Sequence, residues 1–132
     1  MAVADVLFSG NNRYVVRVTE QGNDDAAVAI VDRSSLTGPD GVNPPSKLVV
    51  EEIDWVVAGY DFVTLLWDNA TDENLAQLQG DSFRSYKAAG GLVSSVTPTD
   101  LTNTQGDILL TTGGVAAPTD AYDIMITVRL KE

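Results

Sequence analysis

The segment that most constrains the fold is the last one, residues 121–132, where apolar and polar side chains alternate almost without a break. A period of two places the two kinds of side chain on opposite faces of a β-strand. On a helix the same apolar residues would spread around the whole cylinder and would form no buried stripe. The pattern therefore predicts a strand with one face in a core. Its apolar positions are Tyr122, Ile124, Ile126, Val128 and Leu130.

Shorter runs of the same character occur along the rest of the chain. Residues 13–20 alternate and are rich in β-branched side chains, and residues 26–32 follow the turn-forming segment 22–25, so these two runs predict a hairpin. Residues 47–57 and 62–68 are two further strand-like runs. The second of them is apolar on both faces, which predicts a central strand that is covered on both sides.

Only one segment favours a helix. In residues 72–80, Leu75 and Leu78 are three positions apart, and Asp72 and Asn74 are candidate capping residues. This segment predicts one short helical turn.

The number of runs indicates the fold class. Residues 85–95 and 106–112 supply the last short runs, which brings the count to about eight strands. Since no helix is long enough to connect parallel strands, the sheets are expected to be antiparallel. Eight strands in two sheets is the count of a jelly roll, although an immunoglobulin-like sandwich has the same sequence pattern. We predict a single all-β domain over residues 1–132, an antiparallel sandwich for which the jelly roll is the favoured topology.

Two irregular segments are the expected contact regions. Residues 1–12 predict an N-terminal arm, and residues 36–45 form a loop rich in Gly and Pro that cannot join a sheet. Ordering such segments costs conformational entropy, which a partner surface would have to offset. We expect contacts between subunits here, and the alternative is that both segments are simply flexible.

The composition excludes several kinds of chemistry. The chain has no cysteine and no histidine, so disulfides, zinc–thiolate sites, cysteine nucleophiles and Ser-His-Asp triads are ruled out. The formal net charge of -11 disfavours nucleic acids and anionic membranes as partners, because both are bound by clustered Lys and Arg. No run of apolar residues is long enough to span a bilayer, and the N-terminus lacks the basic start of a secretory signal.

Acidic side chains are the remaining candidates for catalysis or metal binding. Glu51, Glu52 and Asp54 lie beside Trp55, and a pair of carboxylates near an aromatic ring is the arrangement of many glycosidases. Consecutive strand residues point to opposite faces, however, so Glu51 and Glu52 are not expected to act together. Residues 68–73 offer oxygen ligands for calcium but lack the spacing of an EF-hand loop, and a plain turn is favoured. We predict no enzymatic activity and no catalytic, cofactor-binding or metal-binding residue, with an enzyme based on paired carboxylates as the weakest hypothesis.

The two tryptophans, Trp55 and Trp67, supply an alternative function. An exposed tryptophan on a sandwich face can stack on a sugar ring, so a carbohydrate-binding module is the second hypothesis. Trp67 lies at the end of an apolar strand, and Trp55 follows an alternation of apolar neighbours, so we expect both in the core.

Residues 46–132 carry a resemblance to a known family. In order they contain a strand that ends near an aromatic residue, the strand VTLLWD, a Gly-Gly turn, the strand GDILLTT and a final alternating strand rich in Tyr and Ile. This order resembles the small cement, or head-decoration, proteins of tailed bacteriophages.

The resemblance implies a specific structural role. Such proteins are short jelly rolls that often form trimers and bind the outside of the capsid, where they connect neighbouring major capsid proteins. For this chain we therefore expect the major capsid protein and further copies of itself, as a homotrimer, to be the partners. The expected location is the outer surface of a virion that is assembled in the host cytoplasm.

Overall fold

The computed structural model describes residues 2–95 and 104–132, and it contains two antiparallel β-sheets packed face to face. Sheet A has five strands in the spatial order β1 (Val3–Ser9), β2 (Arg13–Gln21), β9 (Ala121–Lys131), β4 (Lys47–Ala58) and β7 (Gly80–Ser85). Sheet B has four, in the order β3 (Val28–Val31), β8 (Ile108–Gly113), β5 (Phe62–Trp67) and β6 (Glu73–Leu78).

Helical structure in the described residues is limited to two 3-10 turns, Arg33–Ser35 and Lys87–Ala89. Neither turn is long and apolar enough to cross a membrane.

The strand pairing confirms the predicted jelly roll. The first strand of the set β2 to β9 pairs with the last, the second with the second last, and so on inward: β2 with β9, β3 with β8, β4 with β7 and β5 with β6. The chain is thus one long antiparallel hairpin wrapped into two sheets, which is the jelly-roll arrangement. Strand β1 is added at the edge of sheet A beside β2.

The predicted hairpin between residues 13–20 and 26–32 is wrong. Strands β2 and β3 lie in different sheets, and the connection between them crosses from one sheet to the other. It is held by bonds to the far end of the chain: the Gly22 N–H donates to the Asp120 carbonyl, and the Thr112 N–H donates to the Asp25 carbonyl. Turn residues alone do not distinguish a tight hairpin from such a crossing.

Two further predictions about local structure are corrected. The segment expected to form a helical turn is strand β6, because its backbone pairs with β5, where Leu78 lies opposite Val63. Residues 1–12 were expected to be an irregular arm, yet Val3–Ser9 forms the regular edge strand β1. In residues 72–80, pairing with a neighbouring strand outweighs the local sequence preference.

The core lies between the two sheets and is centred on β9 and β5. Ile124, Ile126 and Val128 of β9 have no solvent exposure, as the alternation predicted. Strand β5 is central in sheet B, where Val63 and Leu65 face the core. The predicted central position of residues 62–68 is therefore confirmed, but the predicted coverage of both sides is not, because Phe62 on the outer face is 40% exposed.

The segment after β7 folds back over the outer face of sheet A. Gly91 has a φ of +89°, and a Cβ at this position would overlap the Val49 side chain. The absence of a side chain lets Leu92 form a bridge with Val50 and lets the segment cover Val49, which is only 1% exposed. Glycine is required here both for the left-handed backbone and for the close approach.

The alternation along β9 leads to a stability prediction. Ile126→Ala should lower the free energy of unfolding by about 2 to 5 kcal/mol, because it opens a cavity in the core. The adjacent Met125 lies on the outer face and is 37% exposed, so Met125→Ala should cost less than about 1 kcal/mol. Urea denaturation of the two variants measures the difference, and equal losses would contradict the assignment of faces.

Candidate interaction surface

The edge strand β1 is the most conspicuous exposed surface. Its large apolar residues are all more than half exposed: Val3 55%, Val6 54%, Leu7 53% and Phe8 55%. Sheet A has one strand more than sheet B, so β1 extends past the sandwich and nothing in the described residues covers either of its faces. Sequence analysis identified this segment as a contact region but missed its strand structure. The available signal was the density of apolar residues from Val3 to Phe8.

A bulge distributes the side chains of β1 over both faces. Val6 pairs with the core residue Val16, whereas Phe8 pairs with Val15 on the outer face, and the register shifts at Leu7 between them. Regular alternation would have placed Val6 and Phe8 on the same face. Strand β1 is therefore an apolar ridge with two exposed faces.

Ion pairs cover much of the outer face of sheet A. The Arg17 guanidinium donates twice to Asp123, over 3.0 and 2.6 Å, and these bonds hold the pKa of Asp123 below its ordinary value. Asp5 of β1 lies opposite Arg17 in the ladder. Because these groups are exposed, they set the charge pattern of the surface more than the stability of the fold.

The acidic side chains predicted to point to opposite faces of β4 lie instead on one face. A register shift between Val50 and Glu52 places Glu51 in a bulge, and this breaks the alternation on which the prediction rested. Glu51 contacts Arg13 at 3.2 Å and Arg129 at 3.7 Å, while Glu52 contacts Lys87 at 2.7 Å. These carboxylates are each engaged by basic side chains.

Residues 68–73 form a turn that leads into β6. Asp72 accepts a bond from the Asn69 N–H, and Asn69 donates to the Ser94 hydroxyl. Glu73 accepts bonds from the Ser95 hydroxyl and N–H, which lower the pKa of Glu73. Within residues 2–95 and 104–132, no group of three or more acidic side chains is arranged to hold a metal ion.

Both tryptophans are buried, as expected. Trp67 is 2% exposed and packs in the core, and Trp55 is 6% exposed. The Trp55 indole N–H donates to the Gln79 carbonyl over 3.0 Å. Trp67 has almost no accessible surface, and only a small part of the Trp55 ring is accessible.

Trp55 also lies at the floor of a groove on the side of the sandwich, between the edge strands β6 and β7. This side groove has a volume of about 540 Å³. Six of its nine lining residues are apolar or aromatic and three are polar: Trp55, Leu75, Ala76, Leu78, Tyr86 and Leu92, together with Gln77, Gln79 and Arg84. Polar atoms make up more than half of the exposed lining.

A buried arginine fixes the base of the Pro-rich loop, residues 36–45. Arg33 has no solvent exposure, and it donates to the carbonyls of Gln105 (2.8 Å) and Pro45 (2.9 Å). At the other extreme, Val42 at the tip of the loop is 81% exposed. Sequence analysis missed Arg33, because one arginine in a polar segment carries no pattern that marks it as buried.

The Pro-rich loop lies beside the turn that connects β1 to β2. A Cβ on Gly41 would lie 3.7 Å from the Asn11 amide nitrogen. The two segments predicted to make contacts are distant in sequence, yet they meet at one end of the jelly roll.

The opposite end of the molecule is uniformly acidic. Tyr60 donates to the Asn23 carbonyl over 2.6 Å and packs edge to face against Tyr122, and this contact joins the loops of the two sheets. Burial, together with a hydrogen bond to Asp25, raises the pKa of Glu20. The connections at this end contain no Lys or Arg, and they carry Asp24, Asp25, Asp61 and Asp120.

Comparisons with known proteins give little beyond the fold. No protein-family model matches the chain, and no curated protein matches it. The crystal structure of a cupin domain from Bordetella pertussis Tohama I aligns with 99% of this chain and 94% of its own, at 10% identity and a TM-score of 0.39. At this score the likeness adds nothing to the strand topology described above.

Asp107, beside Arg33, leads to a prediction about pH. It is 2% exposed, and its carboxylate accepts the Arg33 backbone N–H over 2.8 Å. Burial raises the pKa of Asp107 from 3.8 to about 6. Because the folded-state pKa exceeds the unfolded one, this group stabilises the fold below about pH 4, and the contribution is lost as the pH rises through about 6.

Asp107→Asn should remove this dependence. The amide oxygen can still accept the Arg33 N–H, so the variant should exceed the wild type in unfolding free energy at pH 7.5 by up to about 3 kcal/mol, and by little at pH 4. Urea denaturation at both pH values measures the effect. Asp54→Asn, at an exposed position, is the control, and equal pH dependence in the wild type and Asp107→Asn would contradict the prediction.

Proposed function

We propose that the chain is a structural cement protein that binds the outside of a phage head and stabilises contacts between major capsid proteins. It acts without catalysis, and it self-associates, with a homotrimer as the expected form. The observation that carries the proposal is the meeting of the Pro-rich loop and the β1–β2 turn at one end of a jelly roll. A compact core thus presents two exposed segments together.

The anchoring of the Pro-rich loop supports this role. Arg33 fixes the base of the loop through the Pro45 carbonyl, and Asp40 accepts the backbone N–H groups of Val42 and Asn43 at 2.9 Å each. These bonds also lower the pKa of Asp40. A loop that is already ordered loses less entropy when it binds a partner, which favours its use as a contact element.

The distribution of charge supports an orientation on the head. The end that carries the Pro-rich loop also holds Lys47 opposite Lys131 in the β4–β9 ladder. The other end carries acidic groups and no basic residue in its connections. With the Pro-rich loop toward the capsid, the end whose connections contain no basic residue lies away from the packaged DNA.

Binding to phage heads tests the proposal. The chain should sediment with expanded heads of the phage whose genome encodes it, and Val42→Arg should weaken binding at least about tenfold, because it places a bulky charge at the tip of the loop. Val56→Arg is the matched control, since Val56 is 52% exposed on the outer face of sheet A.

The outcomes separate two parts of the proposal. A wild-type chain that does not bind heads would contradict the cement function. Equal binding by Val42→Arg and the wild type would keep the function and refute the orientation.

The alternative of a carbohydrate-binding module has its own test. Because Trp55 and Trp67 are buried, titration with a panel of glycans should leave the tryptophan fluorescence unchanged. A saturable change in fluorescence with one glycan would favour the alternative.

A further inference from the structure

We propose that strand β1 of one copy docks into the side groove of a second copy, so that the copies associate head to tail. The inference specifies the self-association that the proposed function includes, and it can fail independently of head binding. The partner is a second copy of this chain.

Strand β1 and the side groove each offer apolar side chains that a contact between copies could bury. Strand β1 is an apolar ridge, with Val6, Leu7 and Phe8 each more than half exposed. The side groove combines six apolar or aromatic residues with a larger share of polar surface, and its volume of about 540 Å³ can hold several side chains. Burying the ridge would remove apolar surface from water on both partners, which is the main driving force for association.

The charges of the two surfaces also match. Asp5 is the only charged residue of β1, and Arg84 is the only charged residue in the lining of the side groove. Among the residues that the structure describes, none forms an ion pair with Arg84. Because the chain has a net charge of -11, two copies repel each other over most of their surfaces. They can approach most easily where one copy presents almost no negative charge and the other presents a basic side chain without an ion-pair partner.

The contact is heterologous, because it joins two different surfaces of the chain. Strands β1 and β7 are the two opposite edges of sheet A, and the side groove lies at the β7 edge. Each copy can therefore donate β1 on one side and accept a second β1 on the other. Repeated contacts of this kind close into a ring or continue as a filament, depending on the rotation between copies.

The bulge in β1 disfavours the simplest alternative, in which two β1 strands pair across a two-fold axis. Beyond Leu7 the side chains change face, so two such strands cannot match their apolar residues over their whole length. A pairing centred on Asp5 would also place two carboxylates directly opposite each other, which is destabilising. Insertion into a groove uses both faces of β1.

Exchanging the charges at Asp5 and Arg84 tests the contact between copies. Size-exclusion chromatography with light scattering should give the wild type a mass that is a discrete multiple of 14.0 kDa. Asp5→Lys and Arg84→Glu should each raise the dissociation constant at least about tenfold, because each places two like charges in the interface. The double variant restores an opposite pair and should return to within about threefold of the wild type.

The same mass measurements serve for a control variant and for the results that would overturn the inference. Asp54→Lys makes the same change of charge at an exposed position on the outer face of sheet A, whereas the groove residues Trp55 and Arg84 lie on the opposite face, and it should leave the mass unchanged. Circular dichroism checks that each variant is folded. A wild type that is monomeric up to about 0.1 mM, or an oligomer that is unaffected by Asp5→Lys and Arg84→Glu, would overturn the inference.

Head binding distinguishes this inference from the proposed function. A monomeric wild type that binds heads would refute only the contact between copies. An oligomer that responds to the charge exchange but ignores heads would refute only the cement function.

Discussion

The rest of the structure depends on the pairing of β9 with β2 and β4. Strand β9 lies at the centre of sheet A, and its ladders run over nine positions of β2 and eleven of β4. These three strands provide most of one wall of the core, yet β2 and β9 are separated by about a hundred residues of sequence. Because such contacts require the closure of long loops, a fold of this kind is expected to form slowly compared with a helical bundle.

The sequence predicts the strands that have a strong hydrophobic pattern. It does not predict the strands whose formation depends on pairing with a neighbouring strand. Alternation identified β9, β2 and β4, and the apolar run identified β5 as central. The segment 72–80 lacks a clear pattern, and only its pairing with β5 makes it a strand. The number of strands favoured the jelly roll without excluding an immunoglobulin-like sandwich. The route of the chain between the sheets was not predictable, since turn residues serve hairpins and crossings equally well.

The proposed interaction surface was predictable in part. Composition pointed to binding instead of catalysis, and irregular segments pointed to the loop tipped by Val42. Three features had no sequence signal. The bulge at Glu51 turned two neighbouring carboxylates to one face, the burial of Arg33 fixed the loop, and the long-range fold brought Gly41 next to Asn11. Each depends on contacts between residues that are distant in the chain.

Strand β1 stands apart from this network, because the eight strands β2 to β9 already pair among themselves. Its side chains contribute little to the core, so substitutions in it are under weak constraint from folding. Natural variation and protein engineering can therefore change the apolar and charged groups of this edge while the eight-stranded scaffold stays intact. The seven residues of β1 are an adaptable part of an otherwise fixed architecture.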